Sequence, residues 1–108
     1  QGDAVTLMQS DPAKIRIINN TYTPNLEQRT ATYLNAQGMQ VVEFGAPTGF
    51  TSHTKVILYT SKLYALRYLK DLFGLESPQI VIQPDPASPV DIEIRLGEDW
   101  VSRLPAGY

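Results

Sequence analysis

The sequence predicts one α/β domain in which a mixed sheet of four to five strands carries two helices packed on one face, in the order βαββαββ. Three observations lead there. Five short segments around 14–19, 39–44, 54–59, 79–83 and 90–96 are rich in β-formers. Two stretches between them place apolar residues at helical spacing, each closed by a glycine. The length of 108 residues suffices for one core but not for two.

Residues 1 to 13 mix small, polar and acidic types and end in Asp11-Pro12, so they read as an irregular lead-in or linker. Residues 14 to 104 then form the domain and 105 to 108 a tail. Lys14 to Asn19 alternates with Ile15 and Ile17 on the buried side. A turn follows, and Thr23 before Pro24 suits a capped helix entry; that helix runs to Gln37 and stops at Gly38. Met39 to Phe44 is the second strand and Thr54 to Tyr59 the third, joined by a loop punctuated by Gly45, Pro47 and Gly49. Ser61 caps the second helix, whose stripe is Leu63, Leu66, Leu69 and Phe73, widened by Leu72 and ended by Gly74. Ile80-Val81-Ile82 is apolar throughout, as in a buried strand, and the proline-studded 84–89 segment is a stiff connection. Val90 to Leu96 alternates most cleanly, with Asp91, Glu93 and Arg95 directed to a solvated face. Trp100 is placed to cover the open end of the core.

Composition removes several functions. A net charge of -2 and an isoelectric point near 5.2 lack the basic field of a phosphate-backbone binder, so no nucleic acid is expected. The absence of cysteine excludes disulfides and thiolate metal sites. No apolar run approaches the roughly 20 residues of a membrane span. The chain is expected to be soluble as it stands.

Catalytic and cofactor patterns are missing as well. There is no GxSxG, HExxH, GxGxxG or GxxxxGK[ST] motif, and His53 is the sole histidine, in a Gly, Ser and Thr-rich loop where a solvated role is expected. Asp91 and Glu93 share a strand face with Arg95, a pattern of surface ion pairing rather than acid and base catalysis. Neither a catalytic residue, a metal site nor a cofactor is expected, and the chain does not read as an enzyme.

The candidate binding residues are polar and aromatic. Asn19, Asn20, Thr21, Tyr22 and Asn25 fill a strand-to-helix connection, where α/β folds commonly hold ligands, although the same residue types also suit turns and caps. Tyr64 and Tyr68 stand four apart on the second helix, as a platform for sugar rings or as flanking core.

Several phrases, taken together, resemble the LytR C-terminal domain family, the accessory domain of LytR/CpsA/Psr cell-envelope proteins. They are Ile15 to Thr21 followed by Pro24-Asn25-Leu26, then Leu34-Asn35-Ala36-Gln37-Gly38, and above all Asp91-Ile92-Glu93-Ile94-Arg95-Leu96-Gly97-Glu98-Asp99-Trp100. The first turn reads Asn19-Asn20-Thr21 where family members often have Asn-Gly. The resemblance implies an extracytoplasmic bacterial location, a membrane-anchored parent protein, and a non-catalytic module that binds peptidoglycan or its attached glycopolymer, or positions a neighbouring envelope protein domain. A protein-protein interaction or dimerisation domain is the alternative.

Overall fold

A computed structural model describes residues 4–108 of the protein. Its sheet has five strands: β1 (Lys14–Asn19), β2 (Gln40–Gly45), β3 (Lys55–Leu58), β4 (Ile80–Ile82) and β5 (Ile92–Leu96). They lie in the order β2-β1-β5-β3-β4, and only the β3/β5 pair is antiparallel. Among the described residues the α-helices are α1 (Ala4–Ser10), α2 (Leu26–Ala36) and α3 (Leu63–Phe73), with short 3₁₀ turns at Ser77–Gln79 and Glu98–Trp100.

The topology explains why the helices share a face. The β1-α2-β2 unit steps one way along the sheet and β3-α3-β4 steps the other way from a reversed strand. Two right-handed crossovers so related by a half-turn fall on the same side. On that side Ile15, Ile17, Val56, Leu58, Ile92, Ile94 and Leu96 pack with Leu26 and Leu34 of α2 and with Ala65, Leu69 and Phe73 of α3, all buried.

Residues 4–10 depart from the irregular lead-in expected for residues 1 to 13, of which 1–3 lie outside the described residues. They form α1, which a seven-residue segment cannot sustain alone. Docking sustains it: Met8 is fully buried in the common core, Gln9 Nε2 donates to the Gln37 carbonyl at 3.1 Å, and Asp11 pairs with Lys62 at 2.7 Å. That pairing, chiefly its hydrogen bond, raises the Lys62 pKa.

Three further expectations are corrected. Helix α2 begins at Leu26 rather than beside Thr23, because the Asn19 side chain takes the Thr23 carbonyl and Asn25, at φ 63°, turns the chain into the helix. Helix α3 starts at Leu63 with Lys62, not Ser61, at its cap. Strand β4 is an edge strand and not a buried one: beyond it no strand follows, and Ile82 is 72% exposed.

The helix-free face is less wet than its alternation suggests. Glu93 is buried there, with Arg16 Nη1 on one carboxylate oxygen and Arg95 Nε on the other, both at 2.6 Å. Arg16 also donates to Glu43 at 2.5 Å, so a chain of ion pairs spans β2, β1 and β5. The hydrogen bond to Glu43, followed by that to Glu93, raises the Arg16 pKa. Trp100 lies fully inside the core, beyond the covering role expected of it, with its ring 4.4 Å from Phe73 and its Nε1 donating to Thr30 Oγ1 at 2.8 Å.

Candidate functional site

The carboxyl ends of β1, β2 and β5 and the amino ends of β3 and β4 fall at one end of the sheet. Four connections therefore gather there: 20–25, 46–54, 74–79 and 97–100. Ligands of open α/β sheets bind outside the carboxyl ends of the strands.

Side chains of the first turn knit it together. Asn19 Oδ1 accepts from the Thr21 backbone N–H at 3.1 Å and from its hydroxyl at 2.6 Å, an Asx-type turn. Thr21 Oγ1 accepts in turn from the Thr23 N–H at 3.1 Å. These bonds leave Tyr22 at the apex, 81% exposed.

Asn20 acts on the neighbouring loop. It is buried, its Oδ1 accepts from Thr48 N–H at 2.9 Å, and its Nδ2 donates to Thr48 Oγ1 at 2.8 Å. Its backbone carbonyl accepts from Thr51 N–H at 3.0 Å. Clamped at both points, the loop sets Phe50 against Tyr22, with ring centroids 4.7 Å apart and planes 11° from parallel. Tyr22 is 81% and Phe50 48% exposed, so the stack presents an apolar surface to solvent.

The same loop is bound to the end of β5. Asp99 accepts from the Thr54 N–H and hydroxyl, the latter at 2.8 Å, and Thr54 Oγ1 accepts from Gly97 N–H at 3.0 Å. A Cβ at Gly97 would stand 2.3 Å from the His53 carbonyl carbon and 2.5 Å from the Thr54 nitrogen. Backbone must move to admit it. Gly97→Ala is therefore expected to cost about 2 kcal/mol, within the range for overpacking, and to broaden the amide resonances of 48–54 in an NMR spectrum.

Beside the loop lies a cavity of about 360 Å³ lined by His53, Thr54, Lys55, Glu76, Pro78 and Gln79. Its floor is fixed by Gln79, whose Oε1 accepts from Glu76 N–H and whose Nε2 donates to the Thr54 carbonyl, each at 3.0 Å.

The structure thus brings Asn19, Asn20, Thr21 and Tyr22 together, with exposed Asn25 shaping the helix entry. It does not bring Tyr64 and Tyr68 to them. Tyr64 lies at the start of α3, at the opposite end of the sheet, beside Arg67 and Asp11. Tyr68 turns to Tyr33, hydroxyl to hydroxyl at 3.4 Å, and burial followed by that hydrogen bond pushes its phenol above the ordinary tyrosine pKa. Phe50, Thr48, His53 and Lys55 were not among the residues singled out for binding. A lone aromatic in a loop of Gly, Pro and Thr was the one available signal for Phe50.

This arrangement of strands, turn and closing Gly-Glu-Asp-Trp segment agrees with a sequence comparison. The family model described as LytR cell envelope-related transcriptional attenuator (LytR_C) matches residues 13–100. The chain belongs to this family. No curated protein and no solved structure matches it. The LytR_C match contains the whole site, from Asn19 through Phe50 and His53 to Trp100, whereas α1 and residues 101–108 lie outside it. As a LytR_C domain the protein is a cell-envelope-related accessory domain. Among the described residues no helix is long and apolar enough to cross a membrane, and no group of three or more His, Cys, Asp or Glu is placed to hold a metal.

Proposed function

We propose that this LytR_C domain is a non-catalytic, extracytoplasmic envelope module that holds peptidoglycan or a glycopolymer attached to it. The observation that carries the reading is the exposed Tyr22–Phe50 stack at the carboxyl end of the parallel strands. Sugar rings offer apolar C–H faces, which suit an exposed aromatic surface. The net charge of -2 argues against nucleic acid as the partner.

The test is co-sedimentation with insoluble peptidoglycan sacculi, with and without attached polymer. Tyr22→Ala and Phe50→Ala should each weaken saturable retention about tenfold with little change in Tm, since both rings are exposed. Asn20→Ala should instead lower stability by about 1–2 kcal/mol, because it orphans the Thr48 N–H and frees the loop. Retention no greater than that of an unrelated protein of similar charge would overturn the reading.

A second reading, a protein-interaction or dimerisation domain, is favoured by the opposite end of the molecule. There Ile82 on the open edge of β4 and Leu63, 66% exposed, border an apolar groove of about 240 Å³. It requires a mass that rises with concentration in sedimentation and returns to that of a monomer in Ile82→Lys.

A further inference from the structure

We infer that two copies of this chain pair edge to edge through β4, antiparallel about a two-fold axis at Val81, and join their five-stranded sheets into one. The inference deepens the dimerisation reading above and rests on it; it does not depend on glycan binding.

The sheet has β2 at one edge and β4 at the other, and the two differ. On β2 the Val41 N–H is taken by Asn35 Oδ1 at 2.9 Å, and a register shift against β1 leaves Val42 as an extra residue. A covered donor and a bulge both discourage a further strand. The register of β4 against β3 is regular from Ile80 to Ile82, and Gln83 N–H donates inward to the Leu58 carbonyl at 2.8 Å. Alternation then turns the Ile82 N–H and the carbonyls of Ile80 and Ile82 outward, while the Ile80 N–H is held by the Ser77 carbonyl.

The sequence of this edge reads the same in both directions: Pro78-Gln79-Ile80-Val81-Ile82-Gln83-Pro84 is a palindrome centred on Val81. Antiparallel pairing about that centre sets Val81 against Val81 and each Ile80 against Ile82 of the other copy. The Ile82 N–H of each copy donates to the Ile80 carbonyl of the other, two bonds by symmetry. No charged residue lies between Glu76 and Asp85, so the strand meets itself without like-charge repulsion, and those two carboxylates serve local turns. The flanking prolines have no N–H to extend the ladder, which confines the pairing to one register. Side chains agree with it. Ile82, 72% exposed, lies on the helix side beside Leu58, where Ile80 of the other copy covers it at the rim of the groove lined by Leu63 and Leu66. Such a contact uses both β4 edges and closes at two copies.

The experiment uses the full chain, which has no cysteine, so Val81→Cys places a single thiol on the axis. Facing residues of a non-hydrogen-bonded antiparallel pair have Cα atoms about 4.5 Å apart, within the reach of a disulfide. Oxidised glutathione is added at a protein concentration of about 100 μM, beside Val42→Cys, whose position on the β2 edge is 51% exposed. Val81→Cys should cross-link about tenfold faster than Val42→Cys and stop at a dimer, and adding Ile82→Lys to it should slow the reaction about tenfold. The unaltered protein should pass from monomer to dimer in sedimentation with a Kd on the order of 100 μM, as suits so short a pairing. Its amide shifts, followed on dilution, check the same surface without a substitution: the largest changes fall on 79–83. Cross-linking of Val81→Cys no faster than that of Val42→Cys, or shift changes concentrated on 40–45, would overturn the β4 axis. If mass nonetheless rises with concentration, dimerisation stands through another surface; if mass stays that of a monomer up to about 1 mM, both fail.

Discussion

Trp100→Ala should destabilise the domain by about 4 kcal/mol, the largest effect expected of any single substitution considered. The indole is fully buried, touches Phe73 from α3, and bonds Thr30 from α2, so it is where both helices and the end of β5 meet. Truncation opens a cavity between three elements that cannot all collapse inward. Trp100→Phe keeps most of the apolar volume and loses the hydrogen bond to the buried Thr30 hydroxyl, which places it nearer to 2 kcal/mol. Urea denaturation followed by circular dichroism gives both values; fluorescence cannot serve, because Trp100 is the one tryptophan. A loss below about 1 kcal/mol in the alanine variant would show that the 97–100 segment is dispensable to the core.

Glu93→Ala is the second. Removing this carboxylate leaves the Arg16 and Arg95 guanidinium groups facing each other across neighbouring parallel strands, with Lys55 close by on β3. Breaking a buried pair costs more than the pair contributes, and about 3 kcal/mol is expected. Glu43→Ala is the control: the side chain is 39% exposed, and its loss should cost under about 1 kcal/mol and shrink further in salt. The Glu93 penalty should persist at high salt. Equal costs for the two variants would mean that the buried end of the network is as well solvated as its rim.

The sequence was most legible where a periodic pattern stands for a local cause. The alternation of Val90 to Leu96 marks a buried side that the structure keeps, and Leu69 and Phe73 of the 63–73 stripe are buried as expected, whereas Leu63 at its head is exposed and Ala65 is buried in the core. Alternation specifies a face, however, and not its burial, so Glu93 shares the helix-free face as expected yet is enclosed by two arginines. Strand order is set by long-range pairing, and nothing within Ile80-Val81-Ile82 reveals that this apolar run ends up at an edge. Residues 4–10 carry no helix signal of their own, because a helix this short depends on the groove that receives it.

The candidate site divides in the same way. Asn19 to Tyr22 could be picked out because turn chemistry is local. Phe50 could not, since its position depends on bonds from Asn20, thirty residues earlier, to Thr48 and Thr51. The polar turn noted from sequence serves largely as the frame, and the exposed rings that it aligns form the surface.

Helix α1 separates two boundaries that are usually drawn together. The homologous unit begins at residue 13, but the cooperative unit begins earlier, since Met8 shares one core with Leu34, Ala65 and Leu69. At the other end Arg29 Nε holds the Tyr108 carbonyl at 2.7 Å and Leu104 packs on the same core. Backbone amides of α1 should therefore exchange with solvent more slowly than a seven-residue helix permits alone, and their protection should fall in step with that of α3 when the core is weakened. A chain cut to residues 13–100 would retain every residue matched by the family while exposing apolar surface on α2 and α3 that the intact protein never shows to water.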